Sequence, residues 1–261
     1  MINKEATPRQ LRREIRENIL LQPTAGMAPG YLQCNLLIVP SAFADEFLDY
    51  CEINPSVCPL IAKTKPGVHY FDDLGVDIDI RTDLAGYNVF IDGEKSAEVS
   101  SIADYWQTDF VSFAYGCSFS FEALLLDKGI TLGYLDRGQR EALYLTNIDT
   151  NRTDKFEGKL LASMRPLHPK DAIKAISITD KYPQVHGAPI HIGLPELIGV
   201  DLDQPYETLG PISIEEEEIP LFWACGVTPQ LALINAKLPI CITHKSAHML
   251  ITDKLVSEFS L

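Results

Sequence analysis

The stretch Phe222-Trp223-Ala224-Cys225-Gly226-Val227-Thr228-Pro229-Gln230 reads as an apolar strand end, a tight turn carrying a thiol, and a helix start. Thr228 suits the N-cap, where its hydroxyl can accept from an orphan backbone amide. Pro229 suits the first turn, where its missing N–H costs nothing. A cysteine just before a helix start lies at the positive end of the macrodipole, which favours thiolate over thiol. The pattern recurs upstream in Phe113-Ala114-Tyr115-Gly116-Cys117-Ser118-Phe119-Ser120-Phe121-Glu122. There an apolar run over 110–115 delivers a Gly/Cys turn, and a helix is predicted over 119–127 with Ser118 as cap and Glu122 in its first turns. Two strand-cysteine-helix units in one chain can face each other across a cleft. The competing reading is that each cysteine is simply packed, as buried cysteines usually are.

The chain around these units has 261 residues, 46% hydrophobic and 22% charged, which suits one large α/β domain or a domain with a subdomain. A formal net charge of −14 argues against nucleic acid or an anionic membrane as partner, since either requires clustered Lys and Arg. Met1 to Arg16 is polar, without the apolar segment of a secretion signal, and no apolar run is long enough to span a bilayer. The cysteines at 34, 51, 58, 117, 225 and 241 form no CxxC pair and no zinc-finger spacing. They are expected to be reduced thiols in a cytoplasmic protein.

Before the first cysteine unit, Thr7-Pro8-Arg9-Gln10 opens a helix with a capping box; Leu11, Ile15 and Ile19 face inward and the Arg-rich face is expected in solvent. The cluster from Pro23 to Gly30 is a rigid turn that is either structural or substrate-facing. Leu32 to Val39 is a buried strand, and Ser41 is predicted to cap a helix running to about Ile53. Asp92-Gly93 predicts a hairpin between Tyr87–Ile91 and Glu94–Val99. Arg81-Thr82-Asp83 between these segments reads as an ion pair that locks a loop, with anion binding as the sharper alternative. Downstream, residues 129–156 look polar and turn-rich, Leu160 to Met164 reads as a strand ending at Arg165-Pro166, and residues 170–181 as an amphipathic helix.

The polar candidates cluster at predicted strand ends. Val185-His186-Gly187-Ala188-Pro189-Ile190-His191 carries two histidines, and His244 and His248 are spaced i, i+4. This spacing admits a divalent metal, but Pro189 breaks any helix between His186 and His191, and the second pair lacks the Glu of a zincin. No cofactor is therefore predicted and no residue is assigned to a metal, with a divalent metal kept as the weaker alternative. Imidazoles titrate near neutrality, so His186, His191 and His244 are candidates for proton transfer. Arg165 can clamp a substrate carboxylate, and Ser118, Thr228 and the helix-start amides can steady an oxyanion. GxGxxG, Walker A and GxSxG motifs are absent, which removes the commonest nucleotide and esterase readings.

These blocks carry a resemblance. Pro23 to Gly30, Cys58-Pro59-Leu60, Arg81-Thr82-Asp83, Gly116 to Glu122, Ser163-Met164-Arg165-Pro166, Val185 to Gly193, Phe222 to Gln230 and His244 to Asp253 together resemble the putative hydro-lyase family of bacterial proteins, itself similar to a region of mitochondrial D-glutamate cyclase. The chain departs from that family's pattern at Leu143-Tyr144-Leu145-Thr146-Asn147, where Met-Tyr-Arg-Thr-Asn is usual. It departs again at His244-Lys245-Ser246-Ala247-His248, where His-Ala-Pro-Gly-His is usual. The resemblance implies an α/β fold with a larger three-layer α/β/α part and a smaller two-layer α+β subdomain. The larger part is expected over 1–128 and 209–261, and the subdomain over 129–208.

Three functions remain open at this level. The first is a hydro-lyase acting on a small carboxylic or amino acid, including cyclising dehydration of the D-glutamate type. Its candidate catalytic groups are Cys117, Cys225, His186, His191 and Glu122, and Arg165, Ser118, Thr228, His244 and His248 would contact the substrate. The second is a cofactor-independent racemase using the two cysteines. The third is a non-catalytic carboxylate binder or sensor. A homodimer is compatible with each on base rate alone.

Overall fold

The computed structural model describes residues 6–139, 142–208 and 212–261. In chain order the elements begin with α1 (Pro8–Arg16), β1 (Tyr31–Pro40), α2 (Ser41–Ile53), β2 (Leu60–Lys63), β3 (Tyr87–Ile91), β4 (Glu94–Val99) and β5 (Phe110–Gly116). The first cysteine turn leads into α3 (Phe119–Asp127), then α4 (Gly133–Asp136), β6 (Ala142–Asp149), β7 (Lys159–Leu167) and α5 (Pro169–Thr179). Two short strands, β8 (His191–Ile192) and β9 (Glu207–Thr208), precede β10 (Ile219–Ala224), which enters the second cysteine turn. The chain closes with α6 (Thr228–Ala236), β11 (Cys241–His244) and β12 (Leu250–Leu255).

Helix and sheet are mixed as expected, but the strands are not arranged as in a parallel α/β sheet. Among the described residues the strands form two sheets, one ordered β2-β5-β1-β11-β3-β4 with β12 also on β1, the other β8-β10-β7-β6-β9. Every pairing is antiparallel. β10 lies in the stretch grouped above with the larger part, yet it hydrogen-bonds along β7, with Trp223 opposite Ser163 and Ala224 opposite Ala162. The two cysteine units therefore belong to different sheets.

Both main apolar clusters draw on both sheets. One joins Leu36, Ile38 and Ile242 of the first sheet to Leu167, Leu221 and Trp223 of the second. The other joins Leu37, Val39 and Phe113, with Phe47 of α2, to Ala162, Met164 and Phe222. Burial of this kind, worth about 25 cal/mol per Å² of apolar surface, holds the sheets against each other.

Several local expectations hold. Thr7 and Gln10 form the capping box, with Pro8 in the first turn. The Asp92-Gly93 hairpin joins β3 and β4, with both turn residues at positive φ. Other expectations are corrected. Arg12 of α1 is buried, donating to Asp253 and to the Ile251 and Val76 carbonyls. Arg16 binds Asp83, so Arg12 and Arg16 dock the helix, while Arg9 and Arg13 face water as expected. Arg81 pairs with Asp79 at 2.8 Å. The stretch taken as turn-rich contains β6, whose Tyr144 and Thr146 are buried and alternate with exposed Leu145 and Asn147. β7 runs through Arg165 and Pro166 to Leu167, because a buried acid compensates the arginine.

Candidate active site

Each sheet delivers one cysteine to the same place. Cys117 follows the end of β5 and Cys225 the end of β10, and both line one pocket. The pocket's other walls come from Asn35 of β1, Leu143 and Ser163 of the β6–β7 pair, Glu207 of β9, His186, and Ser246 to Ala247. Cys117 is 7% exposed and packs with Ala25, Phe119, Ala247 and Met249, whereas Cys225 is half-buried.

The helix starts differ in detail from the sequence reading. α6 begins at Thr228, but its Oγ1 is directed to the Leu161 backbone of β7 and caps nothing. The amide of Val227, just ahead of the helix, donates to Cys225 Sγ at 3.5 Å. This places a donor on the sulfur at the positive end of the helix. Ser118 is the N-cap residue of α3, yet its hydroxyl also leaves the helix unbonded and accepts from Arg165 instead.

Arg165 does not reach the pocket, although it governs two groups that do. It is fully buried, stacked over Phe121 and Trp223 at 5.0 and 5.7 Å from their ring centres. Its Nε donates to Glu122 Oε1 at 2.8 Å, while its two terminal nitrogens donate to Ser163 Oγ and Ser118 Oγ, each at 3.0 Å. Tyr134 donates to the same Glu122 oxygen at 2.9 Å. Glu122 is thus the counter-ion of Arg165 and lies outside the lining of the pocket. A guanidinium has no acceptor, so each serine oxygen it occupies must send its own hydrogen elsewhere. Both serines line the pocket, and each keeps a hydroxyl hydrogen that can be donated to a group bound there.

Of the histidines, His186 alone lines the pocket. It has a left-handed backbone at φ 81°, and its Nδ1–H donates to the Ser56 carbonyl at 2.8 Å. Burial, with the Arg165 charge adding to it, pushes its pKa down to about 4, so the ring is neutral near pH 7. His244 is fully buried between Leu36 and Gln230, and burial likewise lowers it to about 4. His248 is bonded to the Ser246 carbonyl, with its pKa lowered chiefly by burial, and His191 is bonded to the Leu194 carbonyl at the sheet edge. These three stand outside the lining, and among the described residues no three His, Cys, Asp or Glu side chains are grouped to hold a metal ion.

Four polar lining residues were not singled out from the sequence. Asn35 is buried in β1 and donates to the Gly116 carbonyl at 2.7 Å; a Cβ on Gly226 would overlap its amide, which is why glycine follows Cys225. Ser163 is the strand neighbour of Arg165, and the alternation of β7 could have placed both on one face. Glu207 and Ser246 are joined by a 2.7 Å hydrogen bond from the serine to the carboxylate. No short-range signal marks that pair, since the two residues meet only through the fold. The turn from Pro23 to Gly30 is structural: Met249 N donates to Thr24 Oγ1 and Gln33 Nε2 to the Thr24 carbonyl, backing the Cys117 wall.

The D-glutamate cyclase family matches residues 111–253, a span that includes both cysteine turns, Arg165 and His186. The chain belongs to the D-glutamate cyclase family. Full-length likeness within this family is high. A protein of Aliivibrio salmonicida named "Putative hydro-lyase" is 45% identical over 100% of both chains. One of Xanthobacter autotrophicus with the same name is 46% identical, covering 98% of this chain and 92% of its own. A third, from Burkholderia cenocepacia, is 47% identical over 95% of this chain and 96% of its own. Among solved structures, a nitrogen repressor-like protein of Methanococcus jannaschii overlaps 94% of this chain and 97% of its own at 10% identity with a TM-score of 0.39. Of the positions where this chain departs from the pattern quoted above, Leu143, Ser246 and Ala247 line the pocket, whereas Leu145 and Lys245 do not. No helix among the described residues is long and apolar enough to cross a membrane.

Proposed function

We propose that this chain is a lyase that removes or adds water at a small carboxylic or amino acid, with cyclising dehydration of D-glutamate as the leading case. The observation that carries this reading is the meeting of Cys117 and Cys225, each at a helix start, in one pocket with the Arg165-directed hydroxyls of Ser118 and Ser163. In a cyclisation the amine nitrogen attacks the side-chain carboxyl carbon. The C–N bond forms, the amine proton goes to a base, and a C–O bond breaks as hydroxide leaves with a proton from an acid. One thiolate and one thiol on separate walls supply that base and that acid. The serine hydroxyls and Asn35 hold the carboxylate and the oxyanion that develops on it.

The same two cysteines favour a second reading, two-base racemisation, in which one takes the α-proton and the other returns a proton on the opposite face. A non-catalytic carboxylate binder using the pocket is the third. We further propose a cytoplasmic setting with reduced thiols, no cofactor, and a homodimeric assembly. The finer layering proposed is three layers around the larger sheet and two around the smaller.

Incubation of D-glutamate and a panel of amino and hydroxy acids, followed by mass spectrometry with and without prior thiol alkylation, separates these readings. Loss of 18 Da that alkylation abolishes supports the lyase. In D2O, deuterium incorporated at Cα without loss of water points to the racemase. Ligand-induced stabilisation with neither change points to the binder.

A further inference from the structure

Glu207 is the only carboxylate among the described residues that line the pocket. Its Oε2 accepts from Ser246 Oγ at 2.7 Å, and its Oε1 takes no hydrogen bond from the described residues. Nor is it ion-paired among them. Lys245, its nearest cationic neighbour along the chain from Ser246, is held by Glu98 at 2.6 Å, and Lys95 is held by the same glutamate at 2.6 Å. The remaining lining groups are apolar, neutral polar or thiol, apart from His186, which is kept neutral near pH 7. A half-buried carboxylate facing such a wall has one oxygen fixed by a hydroxyl and the other presented to whatever enters.

We infer that Glu207 receives the ammonium group of an amino-acid substrate, with Ser246 fixing the carboxylate for it. This rests on the reading of the pocket as a small-carboxylate site and deepens it. Ser118, just ahead of α3, and Ser163, on β7, offer donors and take the substrate carboxylate; Glu207, on β9, presents an acceptor and takes the amine. Donors on one wall and an anion on another match a zwitterion and mismatch a hydroxy acid or a plain dicarboxylate, which leave Glu207 facing a neutral group. Glu207, Val227 and Ser246 also border a second groove, so the carboxylate lies between the pocket and that groove.

Calorimetric titration of the full chain with D-glutamate, D-2-hydroxyglutarate and glutarate, each against wild type and Glu207→Gln, tests the assignment. Gln preserves the size and the acceptor for Ser246 and removes only the charge. Wild type is expected to bind D-glutamate about tenfold or more tightly than the other two, the scale of a charge-assisted hydrogen bond, and Glu207→Gln to lose that preference while holding glutarate unchanged. Equal binding of all three by wild type, or an equal loss of all three in the variant, overturns the ammonium site and leaves the carboxylate reading standing. Binding of none of the three by wild type overturns both.

Discussion

Cys117 and Cys225 line one pocket although the strands they terminate, Phe110–Gly116 and Ile219–Ala224, belong to different sheets. The two thiols are not equally accessible, since Cys225 is half-buried and the other five cysteines are buried. Limiting iodoacetamide should therefore modify Cys225 first, and peptide mass mapping reads the site directly. Earlier labelling at Cys34, Cys51, Cys58 or Cys241 would show that the pocket is not open as described.

Arg165 stabilises the site through Glu122, and a buried pair is costly to break because the partner left behind keeps its charge. Arg165→Met should lower unfolding free energy by about 3–5 kcal/mol in urea denaturation, and adding Glu122→Gln should recover part of that loss. A double variant no more stable than the single one would mean that Glu122 is not the charge left uncompensated.

The strand-cysteine-helix units, the hairpin at Asp92-Gly93 and the capping box at Thr7 were legible in the sequence, because each rests on contacts within a few residues. That the two units would share a pocket was readable only as an option, since spacing carries no information on which strands pair. The partners of Arg12 and Arg165 were not legible, for one reason. An arginine reads as surface or substrate-facing until its acid is known, and Asp253 and Glu122 lie 241 and 43 residues away along the chain. Of the histidine blocks, 185–193 gives one lining side chain, His186, whereas at 244–249 it is Ser246, Ala247 and Met249 that line the pocket. Glu207 carries no local pattern at all.

His186 and His244 are held neutral, each with its pKa lowered by burial to about 4 from an unfolded value near 6.5. A histidine lowered in this way takes up its proton in the unfolded chain first, so its contribution is present above pH 6.5 and is lost as pH falls toward 4. Stability measured by urea midpoint should fall by a few kcal/mol between pH 6.5 and 4, with a shallower slope in His244→Gln. A flat profile across that window would contradict the buried neutral state of both rings.

Two glycines are set by close approach and not by turn conformation. A Cβ at Gly116 would overlap the Gln184 carbonyl oxygen, which is backbone and cannot yield, whereas one at Gly226 would overlap the Asn35 side chain, which can rotate. Gly116→Ala should cost about 3 kcal/mol or more of stability, and Gly226→Ala about 1–3 kcal/mol together with loss of ligand binding as Asn35 is displaced. Comparing their melting temperatures checks the order, and the reverse order would argue against the packing around Gly116.

The central claim is that the two cysteines act together on a bound acid. It is tested most directly by turnover of D-glutamate, followed by mass spectrometry, in wild type, Cys117→Ser and Cys225→Ser at matched melting temperature. Each variant is expected to lose about 10²–10⁴-fold in rate with little change in stability, as removal of a general acid or base does. Folded variants that form product at the wild-type rate would contradict the account.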